Sequence, residues 1–235
     1  MPSEPKPEAD LYSYTVRYDD GAAPNPFNGM CTLAICKPAI RRTAAPGDWI
    51  AGLGSARYGK ALHLVYAMQI AEVLTWKEYD ARASREWPHR VPDLDSTDLT
   101  RQLGDCIYDH STSERTQRRS VHTGGGQRQR DKDLNGDVLV ARRYLYFGSS
   151  EMALPSVKRR DLTTLVLRGQ GHKRQSNMGL LPKFVDWYSE LEARLGNGQH
   201  GWPRLVLRRT PDRKNAVVCV PICSDGGDED REVIC

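Results

Sequence analysis

The sequence predicts an α+β fold in which a mixed sheet is flanked by helices. Three observations lead there. Residues 47–80 read as turn, thin strand, loop, long strand and helix in succession; residues 179–195 carry a helical apolar stripe; and strand-like runs at 11–18, 30–36 and 137–147 have no helix pattern alternating with them.

The elements follow in order. Residues 1–10 are dominated by Pro, Glu and Lys and are expected to form a disordered tail. The run LYSYTVRY at 11–18 is β-prone, with Tyr12, Tyr14, Val16 and Tyr18 on one strand face. A loop punctuated by Pro24 and Pro26 leads to the apolar run 30–36, expected as a central strand that Lys37-Pro38 stops. Gly47-Asp48 marks a turn, and the strand after it, 49–54, is thinned by glycine, so that another backbone or a flat ligand can come close. Residues 62–74 alternate, with Leu62, Leu64, Tyr66, Met68 and Ile70 on one face and His63, Val65, Ala67 and Gln69 on the other. Thr75-Trp76-Lys77-Glu78 fits a capping box, in which the Thr oxygen and the Glu carboxylate each satisfy an amide that has no partner inside the helix. A helix is therefore predicted to begin at Trp76.

Residues 81–116 carry little pattern beyond the Gly104-Asp105 turn and a strand fragment at 106–108. Residues 112–134 hold three consecutive glycines among Arg118, Arg119, Arg128, Arg130 and Lys132 and are expected as a flexible basic loop. The run 137–147 restores the strand pattern, and 156–174 forms a second basic segment. Leu181, Phe184, Val185, Tyr188, Leu191 and Leu195 then recur at three and four, and Gly196 ends that helix. Residues 204–208 and 216–222 read as a hairpin, and 223–235 as an acidic tail. One domain over residues 11–222 is the expected organisation.

Composition narrows the function classes. Of 235 residues, 39% are hydrophobic and 27% charged, and no apolar run approaches the roughly 18 residues of a membrane span. The N-terminus lacks the basic and apolar pattern of a secretory signal, so a cytoplasmic location is expected. Six cysteines in that setting read as free thiols, and neither Cys31 with Cys36 nor Cys219 with Cys223 has the spacing or the histidines of a metal site. The net charge is +4, but residues 1–20 and 221–235 hold ten acidic and three basic groups. The body keeps 31 basic against 20 acidic groups, about +11, an imbalance that attracts polyanions.

No phosphate-binding loop, nucleophile elbow, zinc-protease motif or dinucleotide fingerprint is present, and no cofactor is implied. His122 and His172 sit in polar, glycine-flanked loops, where a functional and a merely solvated histidine look alike. Trp49 reads either as core or as a platform on which a base could stack, a contact worth roughly 1–3 kcal/mol. Lys37, Arg41 and Arg42 lie just upstream and could supply phosphate contacts beside it.

Six blocks in order carry a resemblance to a known family: APNPFNGMCTLAICKPAIRR (23–42), GDWIAG (47–52), LVYAMQIAEVLTWKEYD (64–80), GDCIYD (104–109), VLVARRYLYFG (138–148) and GQGHKRQSN (169–177). Together they resemble the nucleotide modification associated domain, type two, of bacteria and phages. Asn28 stands where that family often has an aromatic residue. The turn, strand, long strand and helix of 47–80 are also similar to PUA-like β-barrels, whose EVE and YTH members hold a modified base in an aromatic pocket. The resemblance implies a PUA-like mixed barrel with flanking helices and a role connected with modified nucleobases. Its implied partners are nucleic acid, DNA ahead of RNA, or a nucleotide, with other proteins of a base-modification system.

Two readings of the site follow. In the first, a binding module, Lys37, Arg41, Arg42, Lys173 and Arg174 hold the phosphate backbone, Trp49 stacks near Ser55, and His122 and His172 line the rim. In the second, an enzyme, His122 or His172 is the general acid or base and a carboxylate such as Asp19, Asp48 or Asp105 orients it. A third possibility is a docking subunit that uses the acidic tail or the 181–195 helix.

Overall fold

The computed structural model describes residues 9–56, 59–111, 116–121, 136–150, 152–157, 161–167, 171–175, 179–209 and 217–221. In chain order the elements are β1 (Leu11–Thr15), β2 (Cys31–Leu33), α1 (Pro38–Thr43), β3 (Trp49–Leu53), β4 (His63–Gln69), β5 (Glu72–Leu74), α2 (Trp76–Arg85), α3 (Leu99–Gln102), β6 (Tyr108–Asp109), β7 (Thr116–Gln117), β8 (Val138–Ala141), β9 (Arg143–Tyr146), β10 (Met152–Ala153), β11 (His172–Gln175), α4 (Leu180–Leu195), β12 (Gly198–Gln199), β13 (Leu205–Arg209) and β14 (Val217–Pro221). The main sheet runs β11-β1-β3-β4-β9-β12, with β10 also on β4, and a smaller sheet runs β2-β8-β5. β1 pairs with β3 in parallel, and β4 is antiparallel to both β3 and β9.

The two sheets share two bent strands. The run expected as one strand over 62–74 is β4 and β5, with a break at Ile70 and Ala71, and the run over 137–147 is β8 and β9, with a break at Arg142. Each passes from one sheet to the other at its break. The fold is α+β as expected, but the path of the main sheet ends at β11 and β12, and no closed barrel forms among the described residues. The expected PUA-like closure is not what the pairing shows.

A register shift between Gly52 and Leu53 corrects the expected alternation. Gly52 faces Tyr66 and Leu53 faces Leu64, which leaves Val65 as the extra residue of a bulge. Leu64 and Ala67 consequently face α4, while Val65, Tyr66, Met68 and Ile70 face the smaller sheet. A Cβ on Gly52 would lie 2.1 Å from the Tyr66 ring. The space that the missing side chain leaves is thus filled by Tyr66 from within the fold.

Each face of the main sheet has its own core. On one, Leu11, Trp49, Ala51, Leu53, Leu145 and Phe147 meet Leu180, Phe184, Trp187, Tyr188 and Leu191 of α4. Fully burying a side chain of this size contributes about 1.5–3 kcal/mol, so Phe184, Tyr188 and Leu191 of the expected stripe are core, with Leu181 and Val185 half-buried against them and Leu195 exposed. Arg143 ties the helix down through Glu192, at 2.8 Å. On the other face, Tyr12, Tyr14, Tyr66, Tyr144 and Tyr146 pack with Cys31, Leu33, Ile40 and Leu139.

α2 begins where predicted. Thr75 Oγ1 accepts from the Glu78 amide at 3.2 Å, and a Glu78 carboxylate oxygen accepts from the Thr75 amide at 2.8 Å. No sequence pattern announces α1, because six residues are too few for a periodicity; Pro38 opens it with its preset φ. Asn28 has φ 56°, a left-handed conformation that asparagine tolerates and an aromatic residue does not favour. Arg118 of the expected basic loop is held by Asp80 at 2.7 Å, and Thr116–Gln117 pair as β7. Ser120 and Val121 are buried as well, so 116–121 is part of the fold and not the flexible loop expected there; residues 112–115 and 122–134, residues 1–8 and residues 222–235 lie outside the described residues. Cys31, Cys36 and Cys106 carry no disulfide, and among the described residues no helix is long and apolar enough to cross a membrane.

Candidate functional site

Antiparallel pairing sets β11 beside β1, with His172 opposite Tyr14 and Arg174 opposite Tyr12. Alternation then turns His172 and Arg174 to the face that carries the tyrosines. The His172 ring lies 6.3 Å from that of Tyr12, and the Arg174 guanidinium lies 5.8 Å from it. Lys37, placed by its left-handed φ of 43°, sets its ammonium 4.5 Å over the Tyr14 ring. Three basic side chains thus rest on two adjacent aromatic rings at an edge of the main sheet. Partial burial, and then the charge of Lys37, holds His172 below the usual imidazole range.

Beside this edge lies a small polar hollow at the C-terminal ends of the parallel strands β1 and β3. Val16, Arg17, Asp19, Gly54, Ser55, Val65 and Arg204 line it. Asp19 is 5% exposed. Its Oδ1 accepts from the Tyr146 hydroxyl at 2.7 Å and its Oδ2 from the Arg204 amide at 3.3 Å. Burial pushes the Asp19 carboxyl up to about 7, against the pull of those two donors. Lys37 covers the Tyr14 ring, and the Tyr14 hydroxyl meets that of Tyr66 at 2.9 Å inside the fold.

The expected site residues divide between the surface and the interior. Lys37, His172 and Arg174 come together on the edge, Arg42 is exposed on α1, and Ser55 lines the hollow. Arg174 also pairs with Asp10 at 2.6 Å. Lys173 points the other way, its Nζ donating to the carbonyls of Thr164 and Val166 at 2.7 Å each. His122 lies outside the described residues. Three others are committed to the fold. Arg41 is fully buried and donates to the carbonyls of Cys36 and Gly136, at 2.7 Å each. Trp49 is 2% exposed, its ring enclosed by Phe184, Tyr188 and the Arg143 guanidinium at 4.6–5.8 Å. Asp48 accepts from the Asp10 and Ala45 amides at 2.8 and 2.9 Å, which closes the turn that the sequence announced.

Sequence reading named Ser55 and, for the enzymatic reading, Asp19, but not their meeting in one hollow with Arg17 and Arg204. Asp19 and Asp20 are adjacent in the same loop; only the fold buries the first against Tyr146 and uses the second to cap the Ala22 amide. Arg17 and Arg204 join it from opposite ends of the chain. Among the described residues no cluster of three or more His, Cys, Asp or Glu could hold a metal ion.

Fold and site together define an α+β domain of two bent, conjoined sheets that presents a basic edge and a small hollow lined by Asp19 with Arg17 and Arg204. A family model described as nucleotide modification associated domain 2 matches residues 8–207, and the chain belongs to that family. Neither the curated proteins nor the solved structures compared with it include a match.

Proposed function

We propose that this domain binds a nucleobase or nucleotide within nucleic acid, DNA ahead of RNA, as part of a base-modification system. The sugar-phosphate backbone follows the edge formed by Lys37, His172 and Arg174, with Arg42 alongside, and the hollow takes part of one nucleotide. The observation that carries this reading is the convergence of Lys37, His172 and Arg174 on the Tyr12 and Tyr14 rings. The Lys37 and Arg174 cations over these rings each gain about 0.5–1 kcal/mol from the contact, and His172 adds a ring nitrogen beside them. Membership in a family described as associated with nucleotide modification supports nucleic acid as the polyanion. Compared with the expectation from sequence, Trp49 and Arg41 drop out as contacts because their groups are spent inside the fold.

The test is fluorescence anisotropy with a labelled single-stranded DNA between about 50 and 200 mM salt, where counterion release makes affinity fall steeply. The combined Lys37→Ala, Arg42→Ala and His172→Ala variant is expected to bind at least about tenfold more weakly. Its salt slope should drop by about one for each phosphate that is no longer neutralised. An affinity that neither salt nor this variant changes defeats the proposal.

The rival reading, an enzyme with His172 as general acid or base, has less support. His172 is exposed beside Tyr12 and Lys37. None of the three carboxylates expected to orient it is bonded to it: Asp48 accepts from two amides, Asp105 from Tyr79 and Thr32, and Asp19 from Tyr146 and the Arg204 amide. In the rival case His172→Ala would abolish turnover and leave DNA binding intact.

A further inference from the structure

Asp19 is a buried carboxyl that still borders solvent. A carboxylate offers about four acceptor positions, and here two are used, one by Tyr146 and one, at a long 3.3 Å, by the Arg204 amide. No third donor reaches it among the described residues. The walls next to it are Val16, Val65 and Gly54, with Ser55 as the neighbouring polar side chain. Its enclosed space is about 10 Å³, room for a single water-sized group and far below the roughly 300 Å³ at which pockets for whole small molecules begin. It admits one amino group projecting from the edge of a ring, not the ring itself. Arg17 and Arg204 at the rim fit the phosphate that such a ring would bring with it.

Resting on the nucleic-acid reading above, we infer that the hollow reads the amino-bearing edge of a base, with Asp19 accepting an exocyclic N–H. Cytosine, adenine and guanine carry such an amino group. Thymine and uracil place a carbonyl oxygen where cytosine has its amino group, so two acceptors would face each other. This makes Asp19 a specificity-determining residue, while the basic edge supplies affinity without regard to sequence.

The acceptor is fully available only when Asp19 is ionised, above about pH 7. The groups that act on it from the elements around it are Tyr146, Arg204, Asp20, Tyr14, Tyr66 and Cys31, with Arg17 at the rim. Burial raises Tyr14, Tyr66, Tyr146 and Cys31 well above neutrality, so none of these four titrates in the same range.

The experiment compares oligo(dC) with oligo(dT) of equal length on the full chain at pH 8. Binding to oligo(dC) is expected to be about tenfold tighter. Asp19→Asn should bring the two affinities to within about twofold of each other while salt-dependent oligo(dT) binding persists. Tyr146→Phe keeps the carboxyl but removes a donor that favours its ionised form. The pH at which the preference appears should therefore move upward in that variant, which provides a second test should Asp19→Asn fail to fold. Equal affinity of the wild type for both oligonucleotides overturns the inference and leaves the nucleic-acid reading standing, provided oligo(dT) still binds in a salt-dependent way. A preference that survives Asp19→Asn, or whose midpoint Tyr146→Phe does not shift, also overturns it. Absence of salt-dependent binding to either oligonucleotide defeats both.

Discussion

Asp105 and Asp19 are both carboxyls withdrawn from water, and burial pushes both above the usual carboxylate range. Their surroundings differ. Asp105 is fully buried, accepts from the Tyr79 hydroxyl at 2.5 Å and from Thr32, and lies 4.0 Å from Arg90. Arg90, also fully buried, donates in turn to Asn25, Phe27, Met30 and Thr32 at 2.6–3.1 Å. That carboxylate belongs to a network in which charge is matched and the loop over 25–30 is held shut. Asp19 has two donors, no cation at contact distance in its hydrogen bonding, and an open side. Where a buried acid is surrounded it stabilises the fold; where it is left partly unmatched at a surface, it keeps acceptor capacity for something else.

Four substitutions test that contrast, beginning with the largest effect. Arg90→Met leaves Asp105 buried without its cation and five acceptor oxygens without their donor. A loss of about 3–5 kcal/mol is expected from a broken buried pair, read from the urea midpoint, and a wild-type midpoint would show that the network does not hold the fold. Tyr79→Phe removes a single donor to Asp105 and should cost about 1–3 kcal/mol in the same assay.

Asp19→Asn acts mainly on pH dependence. The native chain keeps this proton up to about pH 7, whereas an ordinary aspartate releases it near 3.8. The stabilisation from Asp19 is therefore fully present below 3.8 and is lost as pH rises through about 7. Stability measured across that interval should decline less steeply in Asp19→Asn than in the wild type, and parallel curves would contradict the burial of a protonated Asp19. The smallest effect belongs to Arg82→Ala. Its ion pairs with Glu72 and Glu86 lie near the surface, where such pairs contribute at most about 1 kcal/mol; a larger loss would mean that exposed and buried ion pairs are equivalent in this fold.

The residues that were legible in the sequence share one property. The capping box at Thr75 and Glu78, the apolar stripe of α4, the tyrosine face of β1 and the 205–221 hairpin are all set by neighbours a few positions apart along the chain. The errors are equally consistent. The Val65 bulge inverts an alternation that is smooth in the sequence, because strand register is decided by the partner strand. Trp49 and Arg41 look like surface contacts until α4 covers the first and the chain at 136–137 receives the second.

By itself, then, the sequence determined the α+β class, the starts of α2 and α4, the strand-forming runs and the basic character of the body, since periodicity, capping and charge are local or additive quantities. The tertiary structure alone decided which basic groups meet at the β1/β11 edge and that Asp19 became the floor of a hollow. Asp19 is held there by hydrogen bonds from Tyr146, 127 positions away, and from Arg204, 185 positions away. Contacts across such separations arise only when the bent sheets pack, and no local pattern encodes them.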